Sequence, residues 1–450
     1  MDATFEQTVR KLFALVCPAA RKDAQDSSIT GELIGPLESV RRRNVRFVKA
    51  QVLLLEELRS LGRRKRSLDS RLREARRQRD KALVAEITSK LKIENIKDVV
   101  LRKLADCMAW QLIDGRSDIA KQLDISEPSR PDLNSSNVES VKETAEQMNS
   151  SNPISFSLIS DLTSFVQIGD LLYRDLHLLK LIEVKEGDKN VQAIKILEEQ
   201  PDLLRNIESL TVAYGENLAG QVSRIYHQKI RADRAIQIIE TGVGRDPVSG
   251  ITVTINEPSL PPLGYDHELA KLLLRLDQET WAYTALEGAL LIGCYRDYMK
   301  PVGHEILKAV ADQLFKRNFF VIDFGQGLRT ALTEPIFLKP FREKDIMDIV
   351  FSRTRVIIAI SLDAIMKMFE DLGLEARWLS RRETVKQQSQ SKSHVLLTFN
   401  GRAICISNPE LTLTLGDASL TRIVFDSLLP SAVVAMFSEA FSNPNFLHNL

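Results

Sequence analysis

The feature that most constrains the fold is a stretch at residues 37–93 that contains no proline and a single glycine, Gly62. Its apolar residues recur at intervals of three and four, the spacing that places them on one face of an α-helix. A pattern of this length predicts two long helices, and Gly62, in the sequence SLGRRKRS, could form the turn of a helical hairpin. We therefore predict that residues 1–125 form a helical region with a coiled-coil-like arm.

The arm is strongly basic. Between Arg41 and Lys81 there are 16 basic and 5 acidic side chains, although the whole chain has a formal net charge of only +1. Either this is a solvated hairpin that its arginines keep soluble, or the arm contacts phosphates of a nucleic acid. Phe47 is the only aromatic residue of the arm, which argues against base stacking and favours contact with the backbone. The candidate contacts, called here the basic quartet, are Arg63, Arg64, Lys65 and Arg66.

After the arm the pattern changes from helix to linker and then to strand. Residues 126–153 are rich in serine, asparagine and proline, which predicts a surface linker with one short helix near 138–148. From residue 154 the spacing of apolar residues is that of strands, and a long helical region follows at about 202–240. We predict that 154–299 form one core.

Residues 300–450 mix helical and strand patterns and are predicted to form a C-terminal α/β region, to which the sequence assigns no role. Within it, Asn400-Gly401 is a strong signal for a two-residue hairpin turn.

The cysteines and the termini exclude several classes of protein. The four cysteines stand far apart in the sequence, with no CxxC pair and no histidine cluster, so neither a zinc site nor a disulfide framework is indicated. No segment approaches the ~18 apolar residues that a membrane span needs. The N-terminus has Asp2 and Glu6 in place of the basic start of a signal peptide. We expect a cytoplasmic protein without a membrane partner.

Candidate chemistry is concentrated in residues 168–187, IGDLLYRDLHLLKLIEVKEG. We predict an antiparallel hairpin with arms at 168–173 and 178–185, in which Leu172 lies opposite Leu179. The side chains of a strand alternate between its two faces. Each arm therefore has one apolar face on which a charged side chain is unexpected.

Three ionisable side chains end one face of this hairpin: Asp170, Glu183 and Lys185. In the predicted register Asp170 lies opposite Leu181, so Glu183 is its diagonal neighbour at about 7–8 Å between backbones. Two carboxylates at that separation can hold one divalent ion, and burying them unpaired would be costly. An E-x-K triplet alone means little, because 27% of the residues are charged, and a solvated strand end with a Glu–Lys pair is the alternative.

An aspartate, a short hairpin and then Glu-x-Lys at the end of the next strand resemble the signature of the PD-(D/E)xK nuclease superfamily, and GDLL…IEVKEG is similar to a common form of it. Gly169 stands where the full signature has proline. The resemblance implies an α/β (α+β) fold with a restriction-endonuclease-like mixed sheet flanked by helices, which could include a helix at 96–114. It implies that Asp170 and Glu183 hold Mg²⁺ or Mn²⁺ and that Lys185 acts on the attacking water.

Several further residues are candidates for supporting roles. Asp161 could support the metal or simply cap its turn. His227 and Lys229, on a long basic helix, could contact phosphate or be ordinary surface residues. Asp98 and Asp106 both lie on the helix that often supplies another acid in the family, and the sequence does not choose between them.

These features predict a Mg²⁺-dependent nuclease that hydrolyses the phosphodiester bonds of a nucleic acid. We expect the substrate to be DNA, in a genome-defence or DNA-processing role by analogy. The alternative is a non-catalytic nucleic-acid-binding or scaffold protein with a degenerate nuclease fold. In either case the arm could also join copies of the chain or bind a partner protein.

Overall fold

The chain, in a computed structural model, divides into two compact units, Met1–Val253 and Thr254–Leu450, which we describe separately. The residues that the structure describes are 3–17, 35–125, 133–134, 137–185, 188–199, 207–245, 252–254, 263–330, 332–390 and 395–442. Within these residues, no helix is both long enough and apolar enough to cross a bilayer.

The first unit is mainly helical, with small antiparallel sheets. Its helices are α1 (Ala3–Val16), α2 (Pro36–Arg77), α3 (Lys81–Leu112), α4 (Ser117–Leu123), α5 (Asn137–Ser151), α6 (Asp188–Glu199), α7 (Ile207–Tyr214) and α8 (Glu216–Thr241). Its strands are β1 (Phe156–Ile159), β2 (Leu171–Arg174), β3 (Leu179–Ile182) and β4 (Val243–Arg245), and β4 pairs with β5 (Thr252–Thr254).

Helices α2 and α3 form the predicted helical hairpin, but its turn is not at Gly62. Gly62 lies inside α2, and the chain reverses after Arg77. The turn is built by Arg79, whose φ is +58°, and by Asp80, whose side chain accepts the Leu83 N–H at 3.0 Å and so caps α3. The penalty of a mid-helix glycine, about 1 kcal/mol, is offset because the apolar stripe of α2 continues past it into the packing against α3.

Helix α5 lies in the segment predicted to be a surface linker, and it is longer than the short helix expected there. Val138, Val141 and Ala145 are buried. This part of 126–153 therefore belongs to the packed unit, whereas residues 126–132 and 135–136 lie outside the described residues.

Strands β1, β2 and β3 form an antiparallel sheet in that order. In the described part of the first unit, the edge of β1 away from β2 is covered by amide side chains and not by another strand. Gln51 of α2 accepts the Ile159 N–H at 2.9 Å and donates to the Ser157 carbonyl at 3.2 Å, and Asn149 of α5 accepts the Ser157 N–H at 2.7 Å. These bonds satisfy the edge and prevent the sheet from growing on that side.

The α+β class predicted from the sequence is confirmed, because helices and small sheets alternate along the chain. In the described residues every strand pairing with a defined register is antiparallel, so the mixed sheet that we expected is not what these residues form. The finer, restriction-endonuclease-like arrangement stays a prediction.

The described residues of the second unit form two sheets, one of β6 (Trp281–Leu286), β7 (Leu290–Arg296), β9 (Thr354–Ser361) and β8 (Phe319–Asp323) in that order, and one ordered β10-β12-β11 with β13 paired to β12. The strands of the latter sheet are β10 (Glu375–Trp378), β11 (Thr398–Phe399), β12 (Arg402–Ser407) and β13 (Thr412–Thr414). The helices of the second unit are α9 (Asp266–Arg275), α10 (Gly303–Phe315), α11 (Glu343–Val350), α12 (Leu362–Asp371), α13 (Arg381–Gln390), α14 (Asp417–Val424) and α15 (Pro430–Ser442).

The predicted turn at Asn400-Gly401 is confirmed: it joins β11 to β12 with φ of +52° and +75° at its two residues. The predicted end of the core at 299 does not coincide with the division of the chain, because β6 and β7 pair within the second unit.

Candidate active site

The predicted hairpin forms, with shorter strands and a different register. Its arms are β2 and β3, and Leu172 lies opposite Leu181, not opposite Leu179 as predicted. The register prediction is therefore wrong by two residues. Because strand side chains alternate with a period of two, a slip of two leaves every side chain on its predicted face.

Asp170 is fixed at the start of β2 by backbone bonds to both neighbouring segments. Its N–H donates to the Ile182 carbonyl, and its own carbonyl accepts the Ser160 N–H, both at 2.9 Å. Gly169, just before it, has a φ of +77°, and a Cβ there would lie 3.3 Å from the Leu181 Cβ. A glycine is thus required by both the left-handed backbone and the close approach of β3.

The three predicted site residues meet at the end of this hairpin. The Asp170 Oδ2 accepts the Val184 N–H at 2.6 Å, which joins the carboxylate to the segment that carries the other two. The Lys185 Nζ donates to the Glu183 Oε2 at 2.7 Å, and both of these side chains are largely buried. The residues that follow, Glu186 and the glycine of the motif, lie outside the described residues.

The electrostatics show that the two carboxylates interact. Burial, followed by the negative charge of Glu183, raises the pKa of Asp170 to about 6. The Val184 N–H and the charge of Lys185 act in the opposite direction, and Asp161 adds a smaller upward effect. Asp170 thus occupies a position where an added positive charge would be stabilising.

The sequence prediction missed one residue of this site, Gln228 of α8. Its Oε1 accepts a second hydrogen bond from the Lys185 Nζ, at 2.9 Å. The signal was present, because Val222, Ile225 and Ala232 are buried at helical spacing and Gln228 interrupts that apolar series with an amide. A polar residue on the buried face of a helix needs a partner, and here the partner is Lys185.

Asp161 lies beside the site, in a short 3₁₀ helix, Ser160–Leu162, that follows β1. Its carbonyl accepts a hydrogen bond of 2.5 Å from the Nη1 of Arg102 on α3, and Arg102 is in turn paired with Asp98. Its charge reaches Asp170, as the raised pKa of that residue indicates. Its placement agrees with a supporting role and equally with a role in the turn.

Asp106 has a structural position. It is fully buried, accepts both the Ser164 N–H at 2.6 Å and the Ser164 hydroxyl, and pairs with Lys103 at 3.2 Å. Of the two candidates on α3, Asp106 holds the loop after β1, and Asp98 orients the arginine that binds the Asp161 carbonyl.

The predicted phosphate contacts on α8 fall on either side of Gln228. His227 and Lys229 are both exposed, and among the described residues the Lys185 Nζ donates its hydrogen bonds to Glu183 and Gln228 and not to either of them. Successive residues of a helix are about 100° apart, so the two point in divergent directions.

The basic quartet lies in the middle of α2 and is not uniformly available. The Arg64 Nε pairs with Glu94 of α3 at 2.9 Å, and Arg63 donates to the Asn134 amide oxygen at 3.4 Å. Arg64 therefore serves the α2–α3 hairpin, which reduces the charge that the basic quartet can offer to a polyanion.

The site can be tested for its fit to a divalent cation. In the described residues, no group of three or more His, Cys, Asp and Glu side chains is arranged to hold a metal. Asp170 and Glu183 nevertheless each keep one oxygen, Oδ1 and Oε1, without a hydrogen bond to another described residue. One or two carboxylates completed by water and by substrate phosphate is the usual way in which proteins bind Mg²⁺. The donor set fits such an ion.

Comparison of the chain with protein-family models, with curated proteins and with solved structures finds no match. What the chain does must therefore be argued from the geometry of this site and from its motif.

Proposed function

We propose that the chain is a metal-dependent nuclease that hydrolyses phosphodiester bonds of a nucleic acid, with DNA as the expected substrate. One observation carries the proposal: Asp170 and Glu183 are close enough that the charge of Glu183 contributes to raising the pKa of Asp170, and Lys185 adjoins both. A carboxylate whose ionised form is disfavoured first by burial and then by a neighbouring carboxylate would be stabilised by a bound cation. Along the chain α3 precedes the β1-β2-β3 sheet and α8 follows it, with α4 and α5 before the sheet and α6 and α7 after it.

Each residue has a distinct role in the proposal. Asp170 and Glu183 would hold Mg²⁺ or Mn²⁺ through their remaining oxygens. The bound ion would polarise the phosphate and lower the pKa of its water. Lys185 would orient the attacking water and stabilise charge that develops on the phosphate. Gln228 would position Lys185, since it accepts one of the three ammonium hydrogens.

A second candidate is a non-catalytic binding or scaffold protein. The Lys185–Glu183 ion pair favours it, because the pair neutralises Glu183 without a metal. In that case Asp170 would be a buried capping group for the Val184 N–H, and the arm would provide the function. The two candidates differ in whether a divalent ion binds at Asp170.

The deciding experiment incubates purified protein with supercoiled plasmid, linear duplex, single-stranded DNA and RNA in Mg²⁺, Mn²⁺ or EDTA. Calorimetric titration with each metal is run in parallel. Asp170→Asn and Glu183→Gln should abolish both metal binding and cleavage. Asp175→Asn is the matched control, because Asp175 lies in the turn of the same hairpin and accepts hydrogen bonds from the backbone of that turn. No cleavage of any substrate, together with no metal binding by the wild type, would leave the scaffold as the better candidate.

A further inference from the structure

Helix α8 carries a row of basic side chains that the catalytic proposal does not use. They follow one another at intervals of three, four and three residues, and this spacing places their side chains on nearly the same side of the helix. The row extends about 15 Å along the axis. We call it the α8 basic row, and its members are Arg224, His227, Arg231 and Arg234. Three of the four are exposed, and Arg234 is half-buried.

The α8 basic row adjoins the contact between α8 and Lys185. Gln228, which accepts the hydrogen bond from the Lys185 Nζ, is four residues after Arg224 and three before Arg231. Residues three or four apart are surface neighbours on a helix. The two arginines therefore flank, one turn away on each side, the side chain that binds Lys185.

Among the residues that the structure describes, no acidic side chain pairs with the row. Within the described part of the chain, none of its four side chains takes part in an ion pair, whereas Arg64 of the basic quartet is paired with Glu94. Asp233, the acid between Arg231 and Arg234 in sequence, lies on the other side of α8, about 180° from Arg224. The three arginines of the row carry charges of one sign, and such charges attract and concentrate a ligand of the opposite sign.

We propose that the α8 basic row binds the sugar–phosphate backbone of the substrate and directs it past Lys185. This inference rests on the proposed nuclease function for the identity of the polyanion. A nucleic acid strand carries one phosphate per about 3.4 Å of axis, so a row of about 15 Å corresponds to about four phosphates. Guanidinium groups suit this contact because they bind phosphate oxygens through two donors at once. Contact with the backbone alone makes the binding independent of sequence.

The test is a double variant, Arg224→Gln with Arg231→Gln, in a fluorescence anisotropy titration of labelled duplex in EDTA at several KCl concentrations. For duplex DNA the slope of log affinity against log salt changes by about 0.9 for each phosphate that the protein neutralises, so the double variant should have a slope shallower by about 1.8. If the two proteins have equal affinity when extrapolated to 1 M salt, this difference in slope corresponds to a roughly 60-fold weaker affinity of the double variant at about 0.1 M salt. Replacing both arginines with lysine should preserve most of the slope, because the charge is kept.

Lys229→Gln is the matched control, because the proposal assigns phosphate contact to His227 and treats Lys229 as an ordinary surface residue. Lys229 is exposed on the same helix, but it lies on the side away from the α8 basic row, so its replacement should leave the slope unchanged. Wild-type affinity and slope in the double variant would overturn the proposal. An equal weakening in Lys229→Gln would also overturn it, because the effect would then reflect net charge alone.

Cleavage in Mg²⁺, measured on the same proteins, separates this inference from the proposed function. If the wild type binds through the row and cuts nothing, the nuclease function fails and the row stands as a binding surface. If the wild type cuts and the double variant binds and cuts equally well, the row fails and the function stands. If the wild type binds neither DNA nor RNA, both are wrong.

Discussion

Replacing Asp170 with asparagine should stabilise the metal-free protein at neutral and alkaline pH. The pKa of Asp170 is raised from 3.8 to about 6, chiefly by burial and by Glu183. A difference of about two pH units corresponds to about 3 kcal/mol against the folded state when the side chain is ionised. Solvent screening at this partly exposed carboxylate reduces the expected gain to about 2 kcal/mol. The asparagine oxygen can still accept the Val184 N–H.

The sign of this effect follows from the direction of the pKa shift. The folded protein holds the Asp170 proton more tightly than the unfolded chain does, so its stability falls as pH rises from about 3.8 to about 6. Below that window both states are protonated, and the variant has no advantage. Above it, the full gain of the variant is present.

The assay is urea unfolding of both proteins in EDTA from pH 3.5 to pH 8, followed by the same series with Mg²⁺ at pH 8. Asp175→Asn serves as the control, because backbone N–H groups lower the pKa of Asp175. That variant should lose stability at neutral pH and recover relative to the wild type in acid. Mg²⁺ should stabilise the wild type by mass action and have little effect on Asp170→Asn. A gain in Asp170→Asn that is absent, or equal at pH 3.5 and pH 8, would refute the argument that burial and Glu183 disfavour the ionised Asp170.

Three further predictions concern other residues. Lys185→Ala should leave metal and duplex binding nearly intact while it slows single-turnover cleavage by about 10²–10⁴-fold. Lys185→Arg should not restore the rate. Full-rate cleavage by Lys185→Ala would exclude the proposed role. Gly169→Ala should lower the free energy of unfolding by about 1–2 kcal/mol in urea titrations, because its φ is +77°. Replacing all four residues of the basic quartet with glutamate should weaken duplex binding, and the loss should be smallest at high salt. Unchanged binding at low salt would assign the arm to protein contacts. Arg64→Glu alone should lower the melting temperature, because it places a carboxylate against Glu94.

The helical arm illustrates what spacing can and cannot predict. The apolar intervals of α2 and α3 identify two long helices, because only a buried face requires that period. They do not identify the turn, because Gly62 looks like a break and is tolerated once Leu61 and Leu72 are packed against their neighbours. The turn depends instead on the Asp80 cap, a signal of one residue within a charged run.

Gln228 illustrates a second limit. Sequence reasoning selected His227 and Lys229 because of their charge, whereas the residue that reaches Lys185 is the uncharged one between them. The choice is made by the face of α8 that packs on the hairpin, where Ala232 and Ala235 meet Ile168 and Leu181. The apolar series of α8 marks this face in the sequence, but only the tertiary packing shows that the face lies against the hairpin.

The hairpin shows why the prediction of shared faces tolerates an error in register. The observed turn begins one residue later than expected, because the Asp175 side chain accepts the N–H groups of His177 and Leu178 and closes the turn there. Moving a four-residue turn by one position shifts the pairing by two, so Leu172 exchanges Leu179 for Leu181 and no face changes. An odd shift would have separated the side chains of Asp170 and Glu183. The sequence therefore predicts which residues share a face more securely than it predicts which residues lie opposite one another. The candidate site depends only on the shared face.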